Sequence, residues 1–232
     1  MTSISKIIIA LIALNLSATI SYAQNEEQLG AWYMYFFNND LEESPWGFQG
    51  DVQFRNWDLG GDLEQLLLRG GVTFRPKDTP VKFTLGVGHI TSGTLGDSNE
   101  TSSEFRVYQE ALLPQSISEK IKLTHRFRYE QRNVEDQDLR TRYRYALFLN
   151  FALTGKKFEK GAVYLALYNE LFINGQRNVA DDTSVPRFDR NRSYAALGYK
   201  LSEKTKIQLG TMRQSGNSSF KDQLQLSLHH NW

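Results

Sequence analysis

The last ten residues of the chain alternate between apolar and polar side chains, with His230 as the one polar residue on the apolar side, and the final residue is aromatic. Side chains along a β-strand point to opposite faces in turn, so this pattern predicts a strand with one apolar and one polar face. Such a strand is either the edge of a soluble sheet or the closing strand of a β-barrel. The apolar face carries Leu224, Leu226, Leu228 and Trp232.

The first 23 residues have the composition of an export signal. Lys6 precedes an apolar run over residues 7–14, and Ser21-Tyr22-Ala23 forms a small-x-small cleavage site. Polar residues interrupt the run soon afterwards, so it is shorter than the about 20 residues that a membrane-spanning helix needs. We therefore predict a cleaved signal peptide over residues 1–23 and a single domain over residues 24–232.

The amino-acid composition excludes several kinds of site. The chain has no cysteine, so disulfides and thiolate metal sites are absent from the possibilities. It has 27 basic and 26 acidic residues, and this balance gives no overall field that would favour a nucleic-acid partner. No cofactor and no metal are predicted.

Eleven long segments with alternating polarity are separated by breaks rich in turn-forming residues, and no helical pattern competes with them. Most reach the about 9–11 residues of a tilted membrane-spanning strand, whereas strands of soluble proteins typically have about 5–6. The connections alternate between short turns and longer loops, as they do in outer-membrane barrels. The segments are residues 29–38, 46–57, 63–75, 80–91, 103–113, 119–133, 139–154, 161–174, 189–201, 204–214 and 221–232.

The predicted fold is all-β, a transmembrane antiparallel up-and-down β-barrel of about 10–12 strands. Eleven segments conflict with the even strand numbers usual for single-chain bacterial barrels. We slightly prefer twelve strands, with an additional strand between Gln24 and Asn39, over ten. A soluble two-sheet sandwich in the periplasm is the rival architecture. It would be extracted without detergent, whereas a barrel would pellet with membranes.

Charged side chains recur on one face of the predicted strands. In residues 119–133, for example, Arg126, Arg128 and Glu130 alternate with Phe127 and Tyr129. A cation facing lipid at mid-bilayer would cost about 2–4 kcal/mol, so the charged face is expected to line the lumen. The lumen network predicted in this way comprises Arg55, Arg69, Glu104, Arg106, Glu110, Arg126, Arg128, Glu130, Arg140, Arg142, Arg144, Glu170, Arg190 and Arg192.

The lumen network has two interpretations. A barrel of this size encloses little more than its own side chains, so arginine, glutamate and tyrosine would form a polar core. Arginine outnumbers the acidic residues of the set, which would instead favour a narrow conduit for anions. We favour a largely filled lumen with a structural or binding role, and keep a narrow anion-favouring channel for small solutes as the alternative.

A lipid-modifying outer-membrane enzyme is the second alternative. Such an enzyme would need a histidine beside a serine. His89 and Ser92, in the loop that follows it, could form such a pair, and His125 is the second candidate histidine. No G-x-S-x-G motif is present. The adjacent His229 and His230 point to opposite faces of a strand and so do not share a metal ion readily. No catalytic residue and no metal site are predicted.

Several short motifs resemble DUF2490, an uncharacterised family of exported barrels. They are the segment from Trp32 to Phe37, Asp51-Val52-Gln53-Phe54-Arg55, the segments 65–71, 126–132 and 168–172, Asn191-Arg192 and Gly198-Tyr199. The resemblance covers nearly the whole mature chain. It implies a barrel in the bacterial outer membrane, and implies no activity.

The end of the chain also resembles the closing strand of outer-membrane barrels, in which a terminal aromatic residue serves as an assembly signal. By this resemblance Leu224, Leu226, Leu228 and Trp232 form that signal. It implies handling by the barrel-assembly machinery, followed by contact with outer-membrane lipid and lipopolysaccharide.

Overall fold

The computed structural model describes residues 24–25, 29–96, 98–155, 157–181 and 183–232, so the predicted signal peptide at residues 1–23 lies outside the described chain. The described residues form strands joined by turns and loops. No helix among them is long and apolar enough to cross a membrane. The strands are β1 Gln24–Asn25, β2 Gly30–Asp40, β3 Trp46–Asn56, β4 Leu63–Phe74, β5 Lys82–Gly93, β6 Thr101–Ser116, β7 Ile121–Val134, β8 Arg140–Ala152, β9 Val163–Asn174, β10 Asn178–Ala180, β11 Thr183–Ser184, β12 Phe188–Lys200, β13 Thr205–Ser215 and β14 Ser219–Asn231.

Eleven long strands form a closed barrel. Each strand from β2 to β9 pairs antiparallel with the next, β9 pairs antiparallel with β12, and β12, β13 and β14 continue in the same way. β14 closes the barrel by pairing in parallel with β2. The short β1 pairs in parallel with the start of β14, and β10 and β11 form a separate small hairpin between β9 and β12. The predicted all-β barrel is therefore confirmed, with one parallel pair in place of a wholly antiparallel wall.

The strand number is eleven, within the predicted range, and the preference for twelve is wrong. The first and last strands of an up-and-down meander run in the same direction when the number of strands is odd. Closure then requires one parallel pair, which here runs in continuous register from Gly30 opposite Gln223 to Asn38 opposite Asn231. A parallel ladder satisfies the backbone groups of both edges, although it is slightly less stable per residue than an antiparallel one.

The connections group at two ends of the barrel. We call the end that carries Trp232 the turn end; it holds residues 41–45, 75–81, 117–120, 153–155, 157–162 and 201–204. The opposite end, the loop end, holds residues 57–62, 94–96, 98–100, 135–139, 175–181, 183–187 and 216–218. Because β2 runs parallel to β14, Gly30 lies at the loop end.

Two turns at the turn end are tied together by one carboxylate. Lys200 Nζ donates to Glu203 Oε2 at 2.5 Å, and the backbone N–H of Lys160 donates to Glu203 Oε1 at 3.0 Å. These two hydrogen bonds lower the pKa of Glu203 below its usual value. The arrangement links the turn after β8 to the turn after β12.

Two tyrosines inside the barrel lie flat across glycines of neighbouring strands. A Cβ at Gly86 would lie 2.2 Å from Tyr108 Cζ, and one at Gly198 would lie 2.1 Å from Tyr164 Cζ. These close approaches explain why glycine stands within long strands, where it is otherwise unfavourable. Tyr164 belongs to an apolar cluster on the inner side of β2, β9, β12 and β13 that also contains Trp32, Ala166, Tyr194, Ala196 and Met212.

Candidate functional site in the barrel lumen

The charged residues predicted for the lumen lie inside the barrel, because period two turns them to the face opposite the apolar residues. Glu104 on β6 shows the arrangement near the loop end. Its carboxylate accepts hydrogen bonds from Arg106 at 2.5 and 2.7 Å and from Arg132 at 2.5 and 2.9 Å. All three side chains are buried. Two guanidinium groups therefore hold one carboxylate through two hydrogen bonds each.

Glu130 on β7 is the central carboxylate of the network. Arg142 donates to its Oε2 at 2.9 and 2.7 Å, and Arg144 donates to its Oε1 at 2.6 Å. Arg142 also donates through Nη1 to Asp189 at 3.0 Å, which connects β8 to β12 over the intervening strand β9. Glu130 thus has both oxygens bonded to cations and is removed from water.

Two further glutamates extend the network toward the turn end. Glu170 Oε1 accepts from Arg126 at 2.5 Å and from Arg144 at 2.7 Å. Glu110 accepts from Arg128 at 2.7 Å on one oxygen and from Gln49 at 2.9 Å on the other. Because Arg144 bonds both Glu130 and Glu170, the network is continuous over β6, β7, β8 and β9.

Stacked arginine and aromatic side chains cross the lumen beside this network. The guanidinium carbon of Arg55 lies 3.7 Å from the ring centroid of Trp32, and that of Arg192 lies 4.9 Å from the same centroid. Arg192 and Arg144 also lie over Phe172, at 4.8 and 4.5 Å. We call Arg55, Trp32, Arg192, Phe172 and Arg144 the Arg–aromatic ladder. Cation–π contacts of this kind strengthen when they are removed from water.

The structure does not join all the predicted residues in one ion-pair network. Arg69 pairs with Asp51, at 2.9 Å, apart from the network, whereas Arg190 pairs with Asp189, at 3.0 Å, and is joined to the network through Arg142. Within the described chain, Arg55, Arg140 and Arg192 form no ion pair with a carboxylate. The remaining predicted residues are bonded to one another as Glu104 with Arg106, Glu110 with Arg126 and Arg128, Glu130 with Arg128, Arg142 and Arg144, and Glu170 with Arg126 and Arg144.

Among the described residues, three charged side chains that pair with the predicted set are not members of it: Asp51, Arg132 and Asp189. Asp51 and Arg132 fall in the inward phase of β3 and β7, so alternation alone is sufficient to find them. Asp189 is different, because the pairing of β12 with β9 shifts register between Phe188 and Arg190. A bulge of this kind breaks the period-two pattern from which the inward face is predicted.

The predicted assembly signal lies on the outer face of β14. Leu226, Leu228 and Trp232 are exposed there, and Leu224 is partly covered. Trp232 Nε1 donates to His230 Nδ1 at 2.8 Å, and the Trp232 ring lies 6.0 Å from that of Phe37 on β2. The terminal aromatic residue therefore packs across the parallel seam that closes the barrel.

The histidines considered for catalysis do not meet serine nucleophiles. His89 faces outward, whereas Ser92 accepts a hydrogen bond from the lumen residue Gln65 at 3.1 Å. His125 lies 2.9 Å from the hydroxyl of Tyr145 on the outer face. Across the described ranges, no group of three or more metal-ligating side chains is positioned to hold an ion.

One serine–histidine pair does form, inside the lumen near the turn end, where the sequence analysis did not predict it. Ser227 Oγ lies 3.0 Å from His229 Nε2, and the imidazole stacks on Phe36 with the ring centroids 4.7 Å apart. Within the described part of the chain no carboxylate bonds His229, so the orienting group of a catalytic triad is missing.

The fold and the lumen define the class: an eleven-stranded closed β-barrel with a charged, side-chain-filled interior. The family model described as "Protein of unknown function (DUF2490)" matches residues 29–225, and the chain belongs to this family. The family resemblance predicted from the sequence motifs is thereby confirmed. No curated protein and no solved structure matches the chain.

Proposed function

We propose that this protein is a bacterial outer-membrane β-barrel whose lumen is closed by its own side chains, with a structural or binding role. The observation that carries this proposal is the inverted polarity of the wall. Large apolar side chains face outward, with Leu85, Leu197 and Phe127 exposed by 62%, 60% and 53%. Inside, Glu130 and Arg142 are exposed by only 1% and 4%.

Water is a poor solvent for such an outer surface. Monomeric soluble proteins rarely expose contiguous apolar patches larger than a few hundred Å², and larger patches mark contact with a partner or a membrane. Here exposed apolar side chains occur on all the barrel strands. A bilayer matches a continuous apolar wall, since lipid covers every side of a barrel at once. Trp46, Tyr199 and Trp232 add exposed aromatic residues near the turn end, where barrels place an aromatic girdle.

The closed lumen is supported by buried ion pairs along the wall from β7 to β12 and by contacts that reach further around the barrel. Gln49 on β3 donates to Glu110 on β6, and the guanidinium of Arg192 on β12 lies over the Trp32 ring on β2. Arg142 connects Glu130 on β7 to Asp189 on β12, and Arg144 connects Glu130 to Glu170 on β9. These residues are buried or nearly so, which leaves little room for a continuous file of water among them. A narrow anion-favouring channel remains the alternative function, because the interior contains more arginines than carboxylates.

Export and insertion form part of the same proposal. The predicted signal peptide at residues 1–23 would direct the chain out of the cytoplasm. The outer face of β14 with Trp232 would then be recognised by the barrel-assembly machinery, and the apolar wall would contact outer-membrane lipid and lipopolysaccharide.

The membrane location and the closed lumen are tested separately. Membrane fractionation and gel migration with and without heating test the location. We expect the protein to pellet with outer membranes and to migrate faster when unheated. Extraction as a compact particle without detergent would refute a membrane location.

Conductance in planar bilayers tests the closed lumen, and we expect no steady current from the wild-type protein. A steady anion-selective current that falls in an Arg142→Gln, Arg144→Gln variant would establish the channel instead. Arg75→Gln, an exposed change at the turn end, is the control for the loss of positive charge.

A further inference from the structure

The loop-end part of the lumen contains more cations than its carboxylates can neutralise. Glu104 is shared by Arg106 and Arg132, and Asp189 is shared by Arg142 and Arg190. Glu130 and Glu170 are occupied in the same way by the arginines of β7 and β8. These four carboxylates are therefore all bonded to other arginines, and among the described residues none of them pairs with Arg55 or Arg192.

Arg192 and Arg55 are the two buried arginines left over. Arg192 donates through Nε to Gln214 Oε1 at 2.9 Å, while its two terminal Nη groups have no acceptor among the described residues. Among the residues that the structure describes, Arg55 donates only to the neutral amide oxygens of Gln53 and Gln65, at 2.7 to 3.1 Å. The two residues are exposed by only 7% and 6%. Burying a charge without a hydrogen-bonded counter-charge is costly, and an anion bound by the two arginines would compensate for it.

Trp32 holds these two guanidinium groups in place. Both stack on its indole ring, which itself donates through Nε1 to Glu64 at 3.3 Å. Glu64 also lies 3.3 Å from Lys221 and is therefore a shared carboxylate as well. An aromatic face attracts a cation but does not neutralise it, so the positive charge of the pair stays available to a ligand.

A shortage of acceptors elsewhere in the lumen supports the same conclusion. Arg126 Nε, Arg128 Nη1 and Arg140 Nε are buried nitrogens with no hydrogen-bond partner in the described chain. Buried polar groups are normally paired. Among the described residues, these three unpaired arginine nitrogens stand against two unpaired buried acceptors, Gln137 Oε1 and Gln223 Oε1, and the excess of cationic donors favours an anion.

A route from solvent to this site begins at Arg190. Its side chain is 33% exposed at the loop end, and its Nη1 lies 3.4 Å from the Gln214 oxygen that Arg192 also uses. The two arginines are thus neighbours on one strand and share one acceptor. An anion attracted by Arg190 would reach Arg192 without crossing the apolar wall.

We propose that Arg192 and Arg55, stacked on Trp32, form a binding site for a phosphate group at the loop end of the lumen. The planar fork of a guanidinium matches the oxygens of phosphate through paired hydrogen bonds, and two terminal nitrogens of Arg192 are free to donate them. A phosphate group would supply the counter-charge and the acceptors that the terminal nitrogens of Arg192 lack among the described residues. Lumen side chains alone define this site, so phosphate binding and membrane insertion succeed or fail separately.

Calorimetric titration of the purified full-length barrel in maltoside micelles with inorganic phosphate tests the site, with ionic strength held constant by sodium chloride. We expect saturable binding at one site. Arg192→Gln should weaken it about tenfold or more, since hydrogen bonds to a charged group are removed. The affinity of Arg192→Lys for phosphate should lie between those of the wild type and Arg192→Gln, because lysine keeps the charge without the planar guanidinium fork. Arg75→Gln, a matched loss of charge at the opposite end, should bind like the wild type.

A second arm repeats the titration in micelles doped with phosphatidic acid. Saturable binding of inorganic phosphate without lipid identifies a free anion as the ligand. A melting temperature that rises only in the doped micelles identifies a lipid headgroup as the ligand. Absence of both, or wild-type affinity in Arg192→Gln, overturns the proposal. If Arg192→Gln does not fold, the wild-type melting temperature decides. It should rise in phosphate relative to chloride at equal ionic strength, or in the doped micelles relative to undoped ones, and no rise in either condition overturns the site.

Discussion

Replacing Glu130 by glutamine isolates the electrostatic role of the lumen network. Glutamine keeps the shape of the side chain but removes its negative charge, and it turns an N–H group toward donors of Arg142 or Arg144. Both arginines bond Glu130 at 2.6 to 2.9 Å, and Glu130 is fully buried. Removing one partner of a buried pair costs about 3–5 kcal/mol, because the other partner is left as an uncompensated charge. We expect Glu130→Gln to lower the free energy of unfolding by this amount.

The control is an ion pair at the turn end. Arg75 lies 3.1 Å from Asp40, and the two side chains are exposed by 47% and 51%. Exposed pairs contribute about 0–1 kcal/mol, since water already solvates both charges. Asp40→Asn removes the same charge as Glu130→Gln, so burial is the main difference between the two variants. Urea unfolding in one detergent or lipid, followed by gel migration or tryptophan fluorescence, measures both.

A double-mutant cycle completes the test. If the cost of Glu130→Gln comes from a stranded cation, then Arg142→Gln should cost less in the Glu130→Gln background than in the wild type. The expected coupling lies between about 0.5 and 3 kcal/mol, the range for residues in one network. Equal destabilisation by Glu130→Gln and Asp40→Asn, or additive effects of Glu130→Gln and Arg142→Gln, would refute the reasoning.

Two further substitutions test the packing of the wall. Gly198→Ala should cost about 1–3 kcal/mol of unfolding free energy, because its Cβ would overlap the buried Tyr164 ring. Gly70→Ala is the control and should have a much smaller effect, since nothing lies within 4 Å of its new Cβ. Thermal unfolding compares the two variants, and equal destabilisation would contradict the close approach at Gly198. Trp232→Ala removes the ring that packs on Phe37 and Phe48, and each of these aromatic pairs should stabilise the closed barrel by about 0.5–1.5 kcal/mol. A melting temperature unchanged in Trp232→Ala would show that the two pairs do not stabilise the seam.

Alternation is sufficient to predict an all-β barrel and most of the residues that line its lumen. The chain must turn one face of every strand inward, so a row such as Arg126, Arg128 and Glu130 identifies the inner face without any knowledge of strand pairing. The same phase includes Asp51 and Arg132. Local sequence therefore predicts which residues share the interior.

Alternation could not predict which of these residues meet. Arg55 and Arg192 are 137 positions apart in sequence, and they stack on one indole only because β2, β3 and β12 curve around a common lumen. The bulge before Arg190 shifts the phase for Asp189, and no residue type announces it. The parallel seam is equally invisible, because β2 presents the same alternation whichever direction it pairs in.

That seam leads to a prediction that strand alternation alone does not make. In a barrel with an even number of strands, the first strand begins at the end where the last one finishes. Here β2 runs parallel to β14, so Leu29, just before β2, lies at the loop end with Ser218, whereas Ser118 lies at the turn end. The chain has no cysteine, so single cysteines can be introduced at these positions without a background of labelling.

Labelling of intact cells with a membrane-impermeant maleimide should therefore give the same result for Leu29→Cys and Ser218→Cys, and the opposite result for Ser118→Cys. With the loop end outside the cell, the first two react at once and Ser118→Cys reacts only after permeabilisation. The reverse orientation would exchange these results but keep Leu29 with Ser218. Labelling of Leu29→Cys together with Ser118→Cys would contradict the parallel seam, because only an antiparallel closure places the start of β2 at the turn end.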